Sequence, residues 1–280
     1  MLTINLALVS EVQGHDPGDV SRVAAALQRQ ASRDFGPIWG VSATVDAFPR
    51  LEDIPVGYWP MIIETDIGMP GAAGVHEDKD GQPFALITMS DSWSLTASHE
   101  MLEMLGDPFG KRVIPARSPK RGQGRVEFLV EMCDPCEADQ FAYTVNDILV
   151  SDFITPQFYD PRRTDGVRYS FTGAIPGPRE ILQGGYISWH DPPSDHWWQQ
   201  VWFGARKDYR DLGVFDAKAG SLRVWIDAQT DHPGIDKGLP KSNATLKAAV
   251  AVGRQTADSA SSKAASWRRQ IAGIKRRKKR

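Results

Sequence analysis

The chemistry in this sequence starts from two side chains four residues apart. In the run Ser98-His99-Glu100-Met101-Leu102-Glu103-Met104-Leu105-Gly106-Asp107-Pro108, His99 and Glu103 stand at i and i+4. On a helix that spacing puts both on one face. An imidazole and a carboxylate held rigidly at this interval suit a divalent metal ion. The carboxylate directly after the first ligand, Glu100, then points beside the ion, where it can take a proton from bound water. Without an ion the same string is an acidic helix face with one incidental histidine.

A third ligand has to come from elsewhere. Glu131 ends the apolar run Val126–Met132, where a carboxylate is costly to bury unless it is paired or metal-bound. It ranks first. Asp107, Cys133, Asp134, Cys136 and Glu137 fall near the same expected cleft. Asp134 is expected behind the ligands, holding the imidazole by a hydrogen bond; Asp107 does the same or closes the turn before Pro108. Cys133 and Cys136 form a lone CxxC, which cannot build a structural zinc site alone, so packing or a tight turn is expected, with both thiols free. One imidazole and two carboxylates make a hard, anionic site that takes zinc but selects it less strictly over manganese or iron. The added negative charge also weakens the ion as a Lewis acid.

The remaining histidines carry less. His15 reads as a helix-entry residue, His76 as part of an acidic surface loop and His232 as part of a polar stretch before Pro233. His190 and His196 flank Asp-Pro-Pro-Ser-Asp within an aromatic segment, where one could donate to an oxyanion. The competing expectation is a folded loop whose tryptophans fill a core, and it holds for the Trp-rich segment as a whole.

The elements that position these groups follow from periodicity. Residues 3–9 alternate as a strand does, and residues 18–35 place Val20, Val23, Ala24, Leu27 and Ala31 at helical spacing. Ile38–Phe48, Tyr58–Thr65 and Pro83–Met89 read as strands, with Gly68–Gly81 as a loop. Ser90, Asp91 and Ser92 offer N-cap oxygens to a helix over Trp93–Leu105, which Gly106, Asp107 and Pro108 stop. After a basic loop, Lys111–Arg125, a strand Val126–Met132 leads to an extended pair around Phe141–Phe153. Residues 166–240 predict short strands and loops rich in tryptophan.

This order, a strand, the motif helix, an Asp-Pro stop and a later strand ending in Glu131-Met132-Cys133-Asp134-Pro135, resembles the zincin metallopeptidases. Their active-site helix bears HExxH beneath an edge strand and takes its third ligand from further along the chain. Within that group the sequence is similar to the HExxE version with a distal ExxD, as in exordium-like proteins and bacterial and phage proteins with SHExLE motifs. The likeness covers roughly residues 1–161 in element order. It departs at Glu103, where the usual zincin helix has its second histidine. It implies an α+β, zincin-like mixed sheet, with His99, Glu103 and Glu131 as ligands and Glu100 as general base. The activity implied is metal-dependent hydrolysis of peptides or proteins; the class-distinct alternative is an inactive zincin-like binding module.

Composition sets the frame. The 280 residues are 41% hydrophobic and 24% charged, near the globular average. No run of eighteen apolar residues and no basic leader is present, so the expectation is a soluble, cytoplasmic protein without a membrane span. Two cysteines fit a reducing compartment. The net charge of −2 hides an acidic body with a basic end, because residues 259–280 hold nine Lys or Arg and no acid. That end could contact nucleic acid or an anionic surface. The expected organisation is a metal-binding core over 1–161, an aromatic-rich portion over 162–240 packed on it, and a solvated basic tail over 241–280.

Overall fold

The computed structural model of the chain describes residues 2–69 and 71–230. The basic tail, the 241–280 segment and His232 lie outside them. Among the described residues no helix is long and apolar enough to cross a membrane.

The described chain is an α+β assembly of two five-stranded sheets, with one main apolar core between them and two smaller clusters, one around Val9, Ile62 and Phe84 and one around Leu129, Trp197 and Ile226. The first sheet contains β1 (Ile4–Ser10), β2 (Ala43–Phe48), β3 (Tyr58–Glu64), β4 (Gly74–Lys79) and β5 (Gln82–Thr88), in the order β2-β1-β3-β5-β4. Strands β2, β1, β3 and β5 are parallel, and β4 runs antiparallel to β5 at the edge. The buried runs Leu6–Val9, Met61–Ile63 and Phe84–Ile87 are apolar without alternation, as strands covered on both faces must be. The crossover from β1 to β2 is α1 (Pro17–Arg29), whose first turn is capped by the Asp16 carboxylate accepting from the Gly18 N–H at 2.8 Å. A π-helical turn (Gln30–Phe35) and the short α2 (Gly36–Trp39) continue it. The strand expected from Ile38 therefore begins only at Ala43, after Gly40 at φ +68° ends the helical stretch.

Helix α3 (Trp93–Gly106) follows β5 and carries the motif. Its start differs from expectation: Ser92 makes no side-chain cap, and its carbonyl accepts from Leu95 N–H at 2.9 Å. Its end matches, with Asp107 already out of helical geometry. Packed beside it is the hairpin β8 (Tyr143–Val145) and β9 (Ile148–Val150).

The second sheet is antiparallel: β6 (Val113–Arg117), β7 (Arg125–Leu129), β10 (Tyr186–Asp191), β11 (His196–Val201) and β12 (Asp208–Gly213), in the order β12-β11-β10-β7-β6. It draws strands from both sides of residue 161, and the main core joins Leu6, Phe35 and Met101 to Tyr169, Ile187 and Trp189. A short helix, α4 (Leu222–Asp227), closes the described chain over the cleft.

Two segments read as loops contain strands. Gly68–Gly81 holds β4, because Asp80 and Gly81 both take positive φ, +55° and +80°, the geometry of a tight two-residue hairpin turn. Lys111–Arg125 holds β6, an edge strand, where Pro115 costs no ladder bond.

Candidate metal centre

The cleft lies between α3, the edge strand β4, the turn after β7 and helix α4, with a volume near 720 Å³. His99 and Glu100 line it from α3, Gly74 and Val75 from β4, Asp134 and Glu137 from the turn, and Arg223 and Asp227 from α4. The i, i+4 spacing does what the sequence requires of it. His99 keeps 15% of its side chain exposed toward the cleft, while Glu103 is fully buried one turn on.

Each third-ligand candidate takes a definite place. The Glu131 carboxylate faces β10: one oxygen accepts from the Ser188 N–H at 2.8 Å and the other from the Ser188 hydroxyl at 3.1 Å. Asp134 instead meets the motif. Its Oδ1 is 3.0 Å from His99 Nε2, and His99, Glu103 and Asp134 offer three ligand atoms within 4.8 Å of one another. This group has Asp134 where the sequence reading placed Glu131. The exchange has a backbone cause. The strand expected to run to Met132 ends at Leu129, so Glu131 and Met132 lie in the connection to a 3-10 turn over Asp134–Cys136, with the Cys133 N–H donating to Glu103 Oε1 at 2.6 Å. Gly185 supports the turn from outside, since a Cβ there would lie 2.5 Å from the Asp134 carbonyl oxygen.

The three groups could hold a metal ion. Glu103 Oε2 is buried with no hydrogen-bond partner, and Asp134 Oδ1 has only the facing imidazole. A buried acceptor without a partner, as at Glu103 Oε2, is rare in folded proteins, and a cation among these three groups would satisfy it.

Charge in the cleft is strongly coupled. Burial pulls the His99 imidazole toward its neutral form, but the Asp134 carboxylate, with Glu100 and Glu103, outweighs it and carries the pKa up to about 10. Burial, aided by Asp134, pushes Glu103 up to about 7 against the pull of Arg223, His99 and His76. Burial also raises Glu131 well above the usual carboxylate range. It acts on Asp134 too, but Arg223 and His99 prevail and hold that group well below its usual value.

Arg223 was not legible in the sequence as part of this site. It is buried on α4, with Nη2 2.9 Å from Asp134 Oδ2, Nη1 3.7 Å from Glu131 and Nε 3.1 Å from Asp227. Tyr186 lies 3.3 Å from the same guanidinium. Nothing in their local sequence marks either residue, since Tyr186 arrives on β10 of the second sheet and Arg223 on α4 beyond it. His76, read as a surface residue, is 2% exposed on β4. Asp107 turns away from the cleft: its Oδ2 accepts from the Arg112 N–H at 2.7 Å, closing the turn after α3.

His190 sits between Glu127 and Asp195, and His196 pairs with Asp211; neither lines the cleft. Cys133 and Cys136 are free and buried, and burial pushes both thiols well above their ordinary pKa. No known protein family, no curated protein and no solved structure matches this chain.

Proposed function

We propose that the chain is a metal-dependent hydrolase acting on peptide bonds, built on a zincin-like scaffold, with His99, Glu103 and Asp134 as ligands and Glu100 as general base. The observation that carries this reading is the convergence of three ligand atoms within 4.8 Å in a cleft that Glu100 also lines. The mixed sheet with an antiparallel edge strand beside the motif helix supports it. Zinc suits one nitrogen and two oxygens with a coordination position open, and manganese or iron are the competitors.

When bound, the ion supplies Lewis acidity to a water and to a substrate carbonyl. The protein's own part is proton handling and exclusion of bulk water. Glu100, 6% exposed, accepts the proton of the attacking water and returns it to the leaving amine. Arg223 keeps one Asp134 oxygen engaged, so that the other alone faces His99.

A second reading is favoured by the same guanidinium. Arg223 and a protonated His99 already balance Asp134 without an ion, as in a non-catalytic scaffold held by buried ion pairs. That scaffold would dock an anionic partner through the basic residues 259–280.

Metal content of the chain purified without added ions separates the two. We expect about one ion per chain, retained in Glu131→Gln and lost in His99→Ala and Asp134→Asn. Glu100→Gln should keep the ion yet lose on the order of a hundredfold in turnover of a fluorescence-quenched peptide library. Equal metal content in all four variants and the parent would reject the ligand set.

A further inference from the structure

We propose that the edge strand β4 positions the Glu100 carboxylate through two residues of one face, Gly74 and His76, with His76 the positioning group. This rests on the reading of Glu100 as the base. Gly74 and His76 are two apart on a strand and so point the same way. Toward that side lies Glu100: a Cβ on Gly74 would stand 2.7 Å from Glu100 Oε1 and 2.8 Å from its Cγ. Glycine at this position is what allows the carboxylate to lie against the strand.

His76 supplies the contact at the other oxygen. Its Nε2 lies 3.1 Å from the Asp107 carbonyl oxygen, which can only accept, so Nε2 carries the hydrogen. Its Nδ1 is buried without a hydrogen-bond partner and stands 3.6 Å from Glu100 Oε2. A purely structural buried histidine satisfies both nitrogens. Here one end of the ring is fixed to the C-terminal turn of α3, and the free end is aimed at a carboxylate two turns earlier on the same helix. Asp107 is itself pinned, its N–H donating to the Glu103 carbonyl at 2.7 Å and its Oδ2 accepting from Arg112. A separation of 3.6 Å is longer than a hydrogen bond, and contacts of this kind close when substrate is bound. With Nε2 already carrying its hydrogen, a second proton, taken up from solvent on Nδ1, makes the ring an imidazolium that holds Oε2 and leaves Oε1 for chemistry.

Two isosteric variants separate this from a structural role. His76→Gln places an amide N–H near the Nε2 position and keeps the Asp107 contact while leaving Glu100 unheld. His76→Asn places it near Nδ1 and keeps the Glu100 contact while losing Asp107. With the metal-loaded protein and a peptide selected from the quenched library, His76→Gln should retain metal and KM but lose on the order of tenfold to a hundredfold in kcat. His76→Asn should recover most of that loss. Equal kcat in His76→Gln and wild type, or no recovery in His76→Asn, overturns the proposal.

A second measurement needs no substrate. In protein labelled with ¹⁵N-histidine, Glu100→Gln should move the His76 Nδ1 resonance and leave Nε2 in place. An unmoved Nδ1 overturns the proposal. A wild-type protein that cleaves nothing in the library rejects the hydrolase reading alone, and the resonance then decides whether His76 holds Glu100.

Discussion

Replacing Ser98 by Ala tests how the residue next to His99 anchors the motif helix. Ser98 is fully buried. Its hydroxyl donates to Gln30 Oε1 at 2.8 Å and accepts from the Ser151 N–H at 2.9 Å. Gln30, also fully buried, donates in turn to the Ser151 carbonyl at 3.0 Å. One hydroxyl thus ties α3 to the π-helical turn after α1 and to the chain leaving β9. Its removal strands one buried acceptor and one buried donor, each costing about 1–3 kcal/mol. Alanine returns about 0.5 kcal/mol through its better helix propensity. The net loss expected is about 3 kcal/mol, and at about 2–4 °C per kcal/mol for a chain of this size the midpoint should fall by about 6–12 °C. Urea unfolding followed by tryptophan fluorescence measures it, with an unchanged slope showing that the unfolded state is not the cause. Ser21→Ala, which removes only an exposed hydroxyl bond to the Pro17 carbonyl, is the control and should stay within about 0.5 kcal/mol. A Ser98→Ala loss no larger than the control's would refute the reasoning, because it would mean that the stranded groups find new partners at no cost.

Zinc binding at pH 7 should release protons, since ligation needs His99 neutral and Glu103 ionised. The imidazole carried up to about 10 is protonated there, and the carboxylate at about 7 is half protonated. The sign is therefore release of about 1.5 protons per ion, with affinity falling as pH drops; calorimetry in two buffers of different ionisation heat should show it, and identical heats would contradict it. Gly106→Ala should cost about 1–3 kcal/mol by overpacking, because its Cβ would stand 2.0 Å from Met132 Cε. As Met132 leads directly into the turn that carries Asp134, the same change should also lower zinc affinity, which equilibrium dialysis would measure.

The helix and its two site residues were legible because their logic is local. A strand of branched residues, a run of helix formers and a Gly-Asp-Pro stop predict α3 to within a residue of its bounds, and i, i+4 spacing alone places His99 and Glu103 together. The β4 and β6 strands were hidden for a physical reason: both are edge strands, which bury less and so lack a continuous apolar signature. The Asp80-Gly81 pair was the local signal for the first. The identity of the carboxylate facing His99 was decided by tertiary structure. Glu131 and Asp134 differ by three positions in one segment, and a 3-10 turn, fixed by the Cys133 N–H on Glu103 and by the close approach of Gly185, sends one toward β10 and the other toward His99 and Glu103. Arg223 and His76 belong wholly to that level. The first reaches the cleft from 89 residues beyond Asp134 and the second from across a hairpin, and neither has a neighbour in sequence that reports where it will lie. Periodicity encodes which face a residue takes on its own element, and only the packing of one element on another sets which faces meet.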